Sequence, residues 1–368
     1  MKVLLASFQA RYGKNGFADV DGQNESLKGL MDILGQDHQL SIWTPEPKDP
    51  QWRGIMRVHE LIEEIKNKKP DLVHLFLPTP NFHFIADMVD KKTEPPLVTR
   101  YNSSLIKDIP PTPRDLYDLK WLSEKLIINN QLNGKISSKL TLSDDDRKTI
   151  VSTEFQKREL VDILGSDPSQ IEIIPNTSRS KIYVKRNTIK KKNSKKIRFG
   201  YMGHFTLAKG VEGLLETFSK LEENTELILA LSGRGKDLDK ISYYKNKKNI
   251  RLRGVVEKEK FFQEIDVMVL PYRCSFGTQI IPNTLLEARC AGIPIITSKL
   301  PYMEEVLTHE KDALLFEPNE MEDLKEQMER LCRDPSLKEK LSVQKIPDEL
   351  RPENVKEKLE ELYVDMVS

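Results

Sequence analysis

Apolar and polar residues follow one another along this chain in two recurring patterns. Short apolar runs such as DLVHLFL (71–77) and DVMVLP (266–271) predict strands that are buried on both faces. Segments such as GVEGLLETFSKL (210–221) carry apolar residues three and four positions apart, which predicts helices with one buried face. Because strands and helices alternate almost throughout, the sequence predicts an α/β protein whose parallel sheets are covered by helices on both faces.

The two patterns assign an element to most of the chain, although the pattern is unclear after RDLYDLKWLSEKLI (114–127). Thr153 is the predicted N-cap of a helix that directly follows a strand in KTIVSTEFQKRELVDILG. The other predicted strands are MKVLLASF, HQLSIWT, DLVHLFL, PPLVTRY, QIEIIPN, IRFGYMG, ELILALSG, NIRLRG, DVMVLP, IPIITS and DALLFEP. The other predicted helices include the segment around Leu27–Leu34, GIMRVHELIEEIKNKK, NFHFIADMVDKK, KFFQEI, EMEDLKEQMERLC and RPENVKEKLEELYVDM.

One strongly basic segment divides the alternating pattern into two runs. Lys185–Arg198 contains eight basic residues and almost no apolar ones, which favours a solvated linker, with a patch for anionic lipid or polyphosphate as the alternative. We therefore expect a Rossmann-like domain over residues 1–180, a linker over 181–196 and a second Rossmann-like domain over 197–350. A final helix at 351–368 is expected to cross back to the first domain. Two such doubly wound domains would face each other across a cleft, with ligands at the carboxyl ends of the strands.

Composition narrows the class of protein. Lys and Arg (58) nearly balance Asp and Glu (57) along the 368 residues, so net charge gives no indication of a nucleic-acid partner. The three cysteines, Cys274, Cys290 and Cys332, form no CxxC pair, so neither a disulfide framework nor a zinc site is expected. The histidines show no metal-binding spacing such as HExxH. The cysteine usage is typical of a reducing cytosol, so we expect a cytoplasmic protein. No apolar run approaches 18 residues, so no membrane-spanning helix is expected.

Two glycine-containing loops after predicted strands could bind phosphate. YMGHFTLAKG (201–210) combines Gly203, which allows a close backbone approach, with Lys209 and the start of a helix, where N–H groups are unpaired. It lacks the GxxxxGK[ST] pattern of a Walker loop, and an ordinary strand–helix turn is the alternative. LSGRGKD (231–237) offers Gly233 and Arg234 in a similar position, although such turns are common.

A third loop precedes a helix that carries a glutamate among apolar residues. FGTQIIPNTLLEARCAGIPIITS (276–298) predicts a helix beginning near Pro282 or Asn283, with Glu287 in its first or second turn. A carboxylate there can accept two hydroxyl hydrogen bonds, as from the cis-diol of a ribose. The alternative is a surface glutamate that only stabilises the helix dipole.

These loops, in this order, resemble those of the retaining glycosyltransferases of family 4, which have the GT-B fold. The corresponding segments here are GHFTLAKG, SGRGKD and QIIPNTLLEARCAGIPI, with further similarity at DLVHLF, TIVSTEFQKREL, IEIIPN and the segment beginning PYMEEVLTHEKDALLFEP. The resemblance is close in the second half of the chain and loose in the first.

The resemblance implies a nucleotide-diphosphate sugar, such as a UDP- or GDP-sugar, bound to the second domain as donor substrate. Transfer would retain the anomeric configuration and need neither a separate cofactor nor a divalent metal. The acceptor, a lipid, glycan, protein or small molecule, would bind the first domain, and a lipid-linked acceptor would bring peripheral membrane contact. Lys209 would neutralise the diphosphate, Glu287 would hold the ribose, and Gln279 would face the sugar. The implied donor-binding residues are Gly22, Gly203, His204, Lys209, Gly233, Arg234, Phe276, Gly277, Thr278, Asn283, Thr284 and Glu287.

The sequence departs from the family pattern at three places. Gln279 stands where the family has a glutamate, His204 replaces an arginine, and Tyr101 or Asn102 replaces a histidine after the fourth strand. Three basic residues could compensate in part for these departures: Arg100, Arg234 and Lys236. The departures leave two alternatives open: a catalytically weak or inactive nucleotide-sugar-binding or scaffold protein, and a sugar-nucleotide epimerase.

Overall fold

The computed structural model of the chain describes residues 1–8, 10, 12–13, 16–17, 22–45, 57–103, 147–176, 196–221, 224–232, 244, 247–275, 278–342 and 346–368. Contacts divide the chain into two compact units. Unit 1 comprises Met1–Ser178, Phe276–Ile280 and Asp348–Ser368, and unit 2 comprises Arg179–Ser275 and Ile281–Pro347. The predicted linker, 181–196, lies outside the described residues apart from Lys196.

Each unit contains a six-stranded parallel sheet. In unit 1 the strand order is β4-β1-β5-β6-β7-β8, and β2 pairs with β3 as a small antiparallel ribbon. In unit 2 the order is β11-β10-β9-β12-β13-β14. The strands are Lys2–Ser7 (β1), Tyr12–Gly13 (β2), Gly16–Phe17 (β3), Gln39–Trp43 (β4), Leu72–Leu77 (β5), Leu97–Tyr101 (β6), Arg147–Val151 (β7), Ile171–Ile173 (β8), Ile197–His204 (β9), Thr225–Ser232 (β10), Ile250–Arg253 (β11), Val267–Leu270 (β12), Ile295–Ser298 (β13) and Leu314–Phe316 (β14).

Helices connect the strands, as parallel pairing requires. They are Gly22–Leu34 (α1), Val58–Lys68 (α2), His83–Asp90 (α3), Glu154–Leu164 (α4), Val211–Phe218 (α5), Lys258–Glu264 (α6), Asn283–Cys290 (α7), Pro301–Glu304 (α8), Met321–Arg333 (α9), Pro335–Lys340 (α10) and Pro352–Val367 (α11). The Thr153 side chain accepts a hydrogen bond from the Gln156 backbone N–H at 3.2 Å, which confirms the predicted N-cap of α4.

The sheet of unit 1 has a helix layer on each face. One face packs against the apolar sides of α2, α3 and α4, through residues such as Leu61, Ile85 and Leu160. The other face packs against α1 and the C-terminal α11, through Leu27 and Leu359 among others. This doubly wound arrangement is the one that the alternating pattern predicts.

Unit 2 has the same parallel architecture, with β9 and β12 in the middle of its sheet. The residues of β12 and β13 are all buried, as predicted for strands covered on both faces. Helix α5 buries Leu214 and Phe218, and α9 packs beside it. Helix α7 is unusual because every residue except Thr284 is buried, including Glu287 and Arg289. Buried polar groups need hydrogen-bond or ionic partners, so the buried polar side chains mark α7 as a candidate functional element of unit 2.

Candidate functional site

The loop after β9 carries the first group of candidate residues in unit 2. Gly203 and the exposed His204 end the strand, and the loop closes with a short 3-10 turn, Leu207–Lys209. The Lys209 Nζ lies 4.1 Å from the centre of the Tyr272 ring, within reach of a cation–π attraction. This contact keeps the ammonium group at the carboxyl ends of the strands, where open α/β sheets bind ligands.

The backbone of the β9 loop is fitted closely to the segment that follows β12. The Arg273 N–H donates to the Ala208 carbonyl at 2.9 Å. Gly210 has a φ of +67°, and a side chain there would place its Cβ 1.8 Å from the Pro271 carbonyl oxygen. Only glycine therefore fits at this position without displacing the Pro271 backbone.

Glu287 lies in the second turn of α7 and is only 3% exposed. Its Oε1 accepts a hydrogen bond from Lys258 Nζ at 2.7 Å, and the Lys258 side chain is itself 18% exposed. The alternative interpretation of Glu287 as a surface residue is therefore wrong. A buried carboxylate is costly unless a cation and further hydrogen bonds compensate for lost water, and Lys258 provides such a cation.

Lys258 is the residue of this site that the sequence interpretation missed. It is the first residue of α6, 29 positions before Glu287, and no local motif connects the two. The only sequence signal is a lysine at the start of a helix that follows a strand, which is too common to be informative. The pairing becomes visible only because β11 and α6 lie in the same unit as α7.

The start of α7 and the segment before it hold further candidates. Asn283 is the first residue of the helix and is buried, Thr284 is partly exposed, and Thr278 is buried. Gln279 belongs to the short segment assigned to unit 1, where its Nε2 donates to Ser26 Oγ of α1 at 3.0 Å. The next residue, Ile280, donates its backbone N–H to the Asn102 carbonyl at 3.1 Å. Gln279 is thus held over the carboxyl end of β6 in unit 1.

Tyr101, one of the two residues at the family's histidine position, belongs to a buried network in unit 1. Arg147 donates one N–H to Asp87 Oδ1 at 2.8 Å and another to His83 Nε2. His83 Nε2 is thus an acceptor, which leaves the ring proton on Nδ1 to donate to the Tyr101 hydroxyl. Burial and the Arg147 charge lower the pKa of His83 from 6.5 to about 4. His83 is therefore a neutral structural residue at the start of α3.

Several predicted donor-binding residues lie outside the described part of the chain. They are Gly233, Arg234, Phe276 and Gly277. Lys236, one of the basic residues that could compensate for the departures, also lies outside it. Gly22 is described as the first residue of α1, so it is a helix-start position. Arg100 is buried in unit 1.

Within the described ranges, no cluster of three or more His, Cys, Asp or Glu side chains is arranged to hold a metal ion. In the same ranges, every helix is too short or too polar to cross a bilayer.

Comparison with known proteins identifies the enzyme class to which this architecture is related. Residues 185–345 match the family described as Glycosyl transferases group 1. The capsular polysaccharide biosynthesis glycosyltransferase CapM of Staphylococcus aureus is 20% identical over 239 residues, which cover 61% of this chain and 60% of CapM. An uncharacterized glycosyltransferase of Methanocaldococcus jannaschii is 26% identical over 157 residues, which cover 41% of this chain and 40% of that protein. The chain therefore spans less than two thirds of the length of these relatives.

Solved structures are similar over almost the whole chain. Sucrose-phosphate synthase from Thermosynechococcus elongatus superposes with a TM-score of 0.75 at 15% identity, covering 99% of this chain and 98% of that one. HepE from Anabaena, solved in complex with UDP, superposes with a TM-score of 0.70 at 13% identity, covering 99% and 100%. At this identity the likeness establishes the fold. The chain has the two-Rossmann-domain GT-B fold, carries a Glycosyl transferases group 1 domain at residues 185–345, and is related to glycosyltransferases.

Proposed function

We propose that this chain is a retaining glycosyltransferase that moves a sugar from a nucleotide-diphosphate donor to an acceptor hydroxyl without a divalent metal. The observation that carries the proposal is the buried Glu287–Lys258 pair in the same unit as the Lys209 loop. A carboxylate oriented in this way can accept hydrogen bonds from both hydroxyls of a ribose. An ammonium group at the strand ends can neutralise a diphosphate.

The proposed chemistry assigns a role to each group. The bond between the anomeric carbon and the diphosphate oxygen breaks, and the acceptor oxygen bonds to that carbon on the same face. The proton of the acceptor hydroxyl passes to the departing diphosphate oxygen. Negative charge grows on the departing diphosphate, and Lys209 would stabilise it electrostatically. Gln279 would exchange hydrogen bonds with the donor sugar, since its amide both donates and accepts.

Uridine nucleotides are the first donors to test, because HepE from Anabaena was solved with UDP and with UDP-glucose. Calorimetric titration with UDP, GDP and ADP would identify the base, and each sugar form of the bound nucleotide would then be assayed for diphosphate release. NMR of the product would report the anomeric configuration. Binding of none of the three diphosphates would contradict the proposal, and an inverted product would contradict retention.

A binding protein without catalysis is the second candidate. Gln279 lacks the charge of the family's glutamate, and its amide is bonded to Ser26. His204, in place of the family's arginine, is exposed at the end of β9. Tight nucleotide-sugar binding with no turnover across a broad acceptor panel would favour this candidate. Restored turnover in Gln279→Glu would identify the missing carboxylate as the cause.

A further inference from the structure

Unit 1 contains a charged side chain that the proposed reaction does not use. Arg100, on β6, is 1% exposed and lies on the sheet face covered by α1 and α11. Its Nη1 donates to Asn176 Oδ1 at 3.0 Å, and this amide is a neutral acceptor. Burial lowers the pKa of Arg100 only to about 10, so the guanidinium remains charged at neutral pH.

The other side of the same guanidinium presents two donors. Among the residues that the structure describes, no hydrogen-bond acceptor reaches Arg100 Nε or Nη2. In an arginine these two N–H groups point in the same direction and form a fork that matches the two oxygens of a carboxylate or phosphate. A buried charge with an unused fork is unusual, because buried charges are normally paired.

Two neighbouring side chains add donors to the same region. Asn176 Nδ2 and His74 Nε2 are also buried and lack a hydrogen-bond partner within the described chain. The His74 Nδ1 is bonded to the Tyr363 hydroxyl of α11 at 2.5 Å. We assign the hydroxyl as the donor, which leaves the ring proton on Nε2. Burial first, and then the Arg100 charge, lower the pKa of His74 well below its usual value, so the ring is neutral.

The position of these groups in the sheet is one where ligands bind. Arg100 lies one residue before the end of β6, and Asn176 follows the end of β8. His74 belongs to β5, whose Phe76 is in register with Arg100. Open α/β sheets bind ligands at the carboxyl ends of their strands, and β6 and β8 end at that edge.

We propose that Arg100, Asn176 and His74 form a binding site for a single oxyanion, a carboxylate or phosphate group held by the side-on fork of Arg100. The site lies within unit 1, so the test of this proposal does not depend on the proposed donor chemistry. The oxyanion comes either from a small free anion or from the acid group of an acceptor sugar. Because the three side chains are buried, binding requires local opening, and a small anion enters most readily.

Thermal unfolding of the full chain tests the site without any activity measurement. The wild type is incubated in a low-salt buffer at pH 7 with sodium formate, acetate, phosphate or chloride at equal ionic strength. Glucuronate and glucose form a second pair of additions that differ in the acid group. We expect a saturable rise of roughly 5 °C in the unfolding midpoint with the bound oxyanion in large excess over its dissociation constant. A rise of the midpoint with formate or acetate identifies a free anion as the ligand. A rise with glucuronate but not with acetate identifies the acid group of an acceptor sugar.

Arg100→Met removes the fork and should abolish the anion-dependent rise of the unfolding midpoint. Without added anion, the midpoint of this variant should be equal to or above that of the wild type. Arg253→Met, at an exposed arginine of unit 2, is the control and should respond like the wild type. If Arg100→Met does not fold, Arg100→Lys replaces it, since lysine keeps the charge and loses the fork. Equal responses in wild type and variant would mean an adventitious ion only, and a flat wild-type response would overturn the proposal. An equal response to chloride would overturn the assignment to an oxyanion.

Discussion

Lys258 Nζ and Glu287 Oε1 are 2.7 Å apart in unit 2 and join the first turn of α6 to the second turn of α7. The pair gives the enclosed Glu287 carboxyl group a cationic partner. If Glu287 holds the ribose of a nucleotide, Lys258 positions it, and the two residues should behave as a unit.

Replacing Glu287 with Gln should weaken binding of the preferred nucleoside diphosphate by about 10- to 100-fold, because hydrogen bonds to a charged acceptor are lost. The loss should be much smaller for the 2′-deoxy nucleotide, which offers one hydroxyl fewer. Calorimetry with the two ligands measures both effects. Glu304→Gln, at an exposed glutamate of α8, is the matched control. Equal losses for the two nucleotides would remove the ribose contact from the proposal.

Lys258→Met should lower the free energy of unfolding by about 3 kcal/mol, because it leaves a buried carboxylate without its cation. It should also reduce discrimination between ribo- and 2′-deoxynucleotides, and Lys258→Arg should retain most of both properties. Urea denaturation and calorimetry are the measurements. In the double variant Lys258→Met/Glu287→Leu much of the stability should return, and independent, additive losses would contradict the coupling.

Lys209→Ala should weaken nucleoside diphosphate binding by roughly 10-fold, with little effect on the free nucleoside, if the ammonium contacts the diphosphate. Stability should change little, because the described contact is a partly exposed cation–π interaction with Tyr272. Titration of variant and wild type with uridine and UDP, or with the base found to bind, separates the two effects. A parallel loss for nucleoside and diphosphate would place Lys209 away from the phosphates.

Gly210→Ala should destabilise the protein by at least about 3 kcal/mol, because the new Cβ would lie 1.8 Å from the Pro271 carbonyl oxygen at a φ of +67°. Gly165 provides a matched control, since it has a φ of +69° with nothing within 4 Å of an added Cβ. Gly165→Ala should cost only about 1 kcal/mol, the strain of the left-handed backbone alone. Chemical denaturation measures the loss of unfolding free energy in each variant. Equal losses would show that the loop rearranges to accommodate the new methyl group.

Acid should destabilise the protein through His83. The folded state lowers its pKa from 6.5 to about 4, so between these values the unfolded state binds a proton that the folded state rejects. The stability that His83 contributes is complete above pH 6.5 and is lost progressively as the pH falls towards 4, by about 3 kcal/mol in total. The difference in unfolding free energy between wild type and His83→Gln, measured from pH 7 to pH 4, isolates this effect. A difference that does not vary with pH would contradict it.

Most of the secondary structure described in the two units, and their α/β class, follow from the linear pattern of residues. Strands such as DLVHLFL and IPIITS and the Thr153 cap were readable because apolar spacing and capping are local properties. It also indicated Lys209 and Glu287, since a lysine in a glycine loop and a carboxylate in an apolar helix are unusual locally. The short helices α8 and α10 and the β2–β3 ribbon were missed, because two to six residues carry too little periodicity.

Which side chains come into contact depends on the tertiary fold. Lys258 reaches Glu287 across 29 residues, Gln279 reaches Ser26 across 253, and Arg100 meets Asn176 across 76. Burial makes His83 a neutral structural group, and it encloses the guanidinium of Arg100. Hydrogen bonding and desolvation depend on distance in space, and the order of parallel strands sets that distance through crossovers that a linear pattern does not encode.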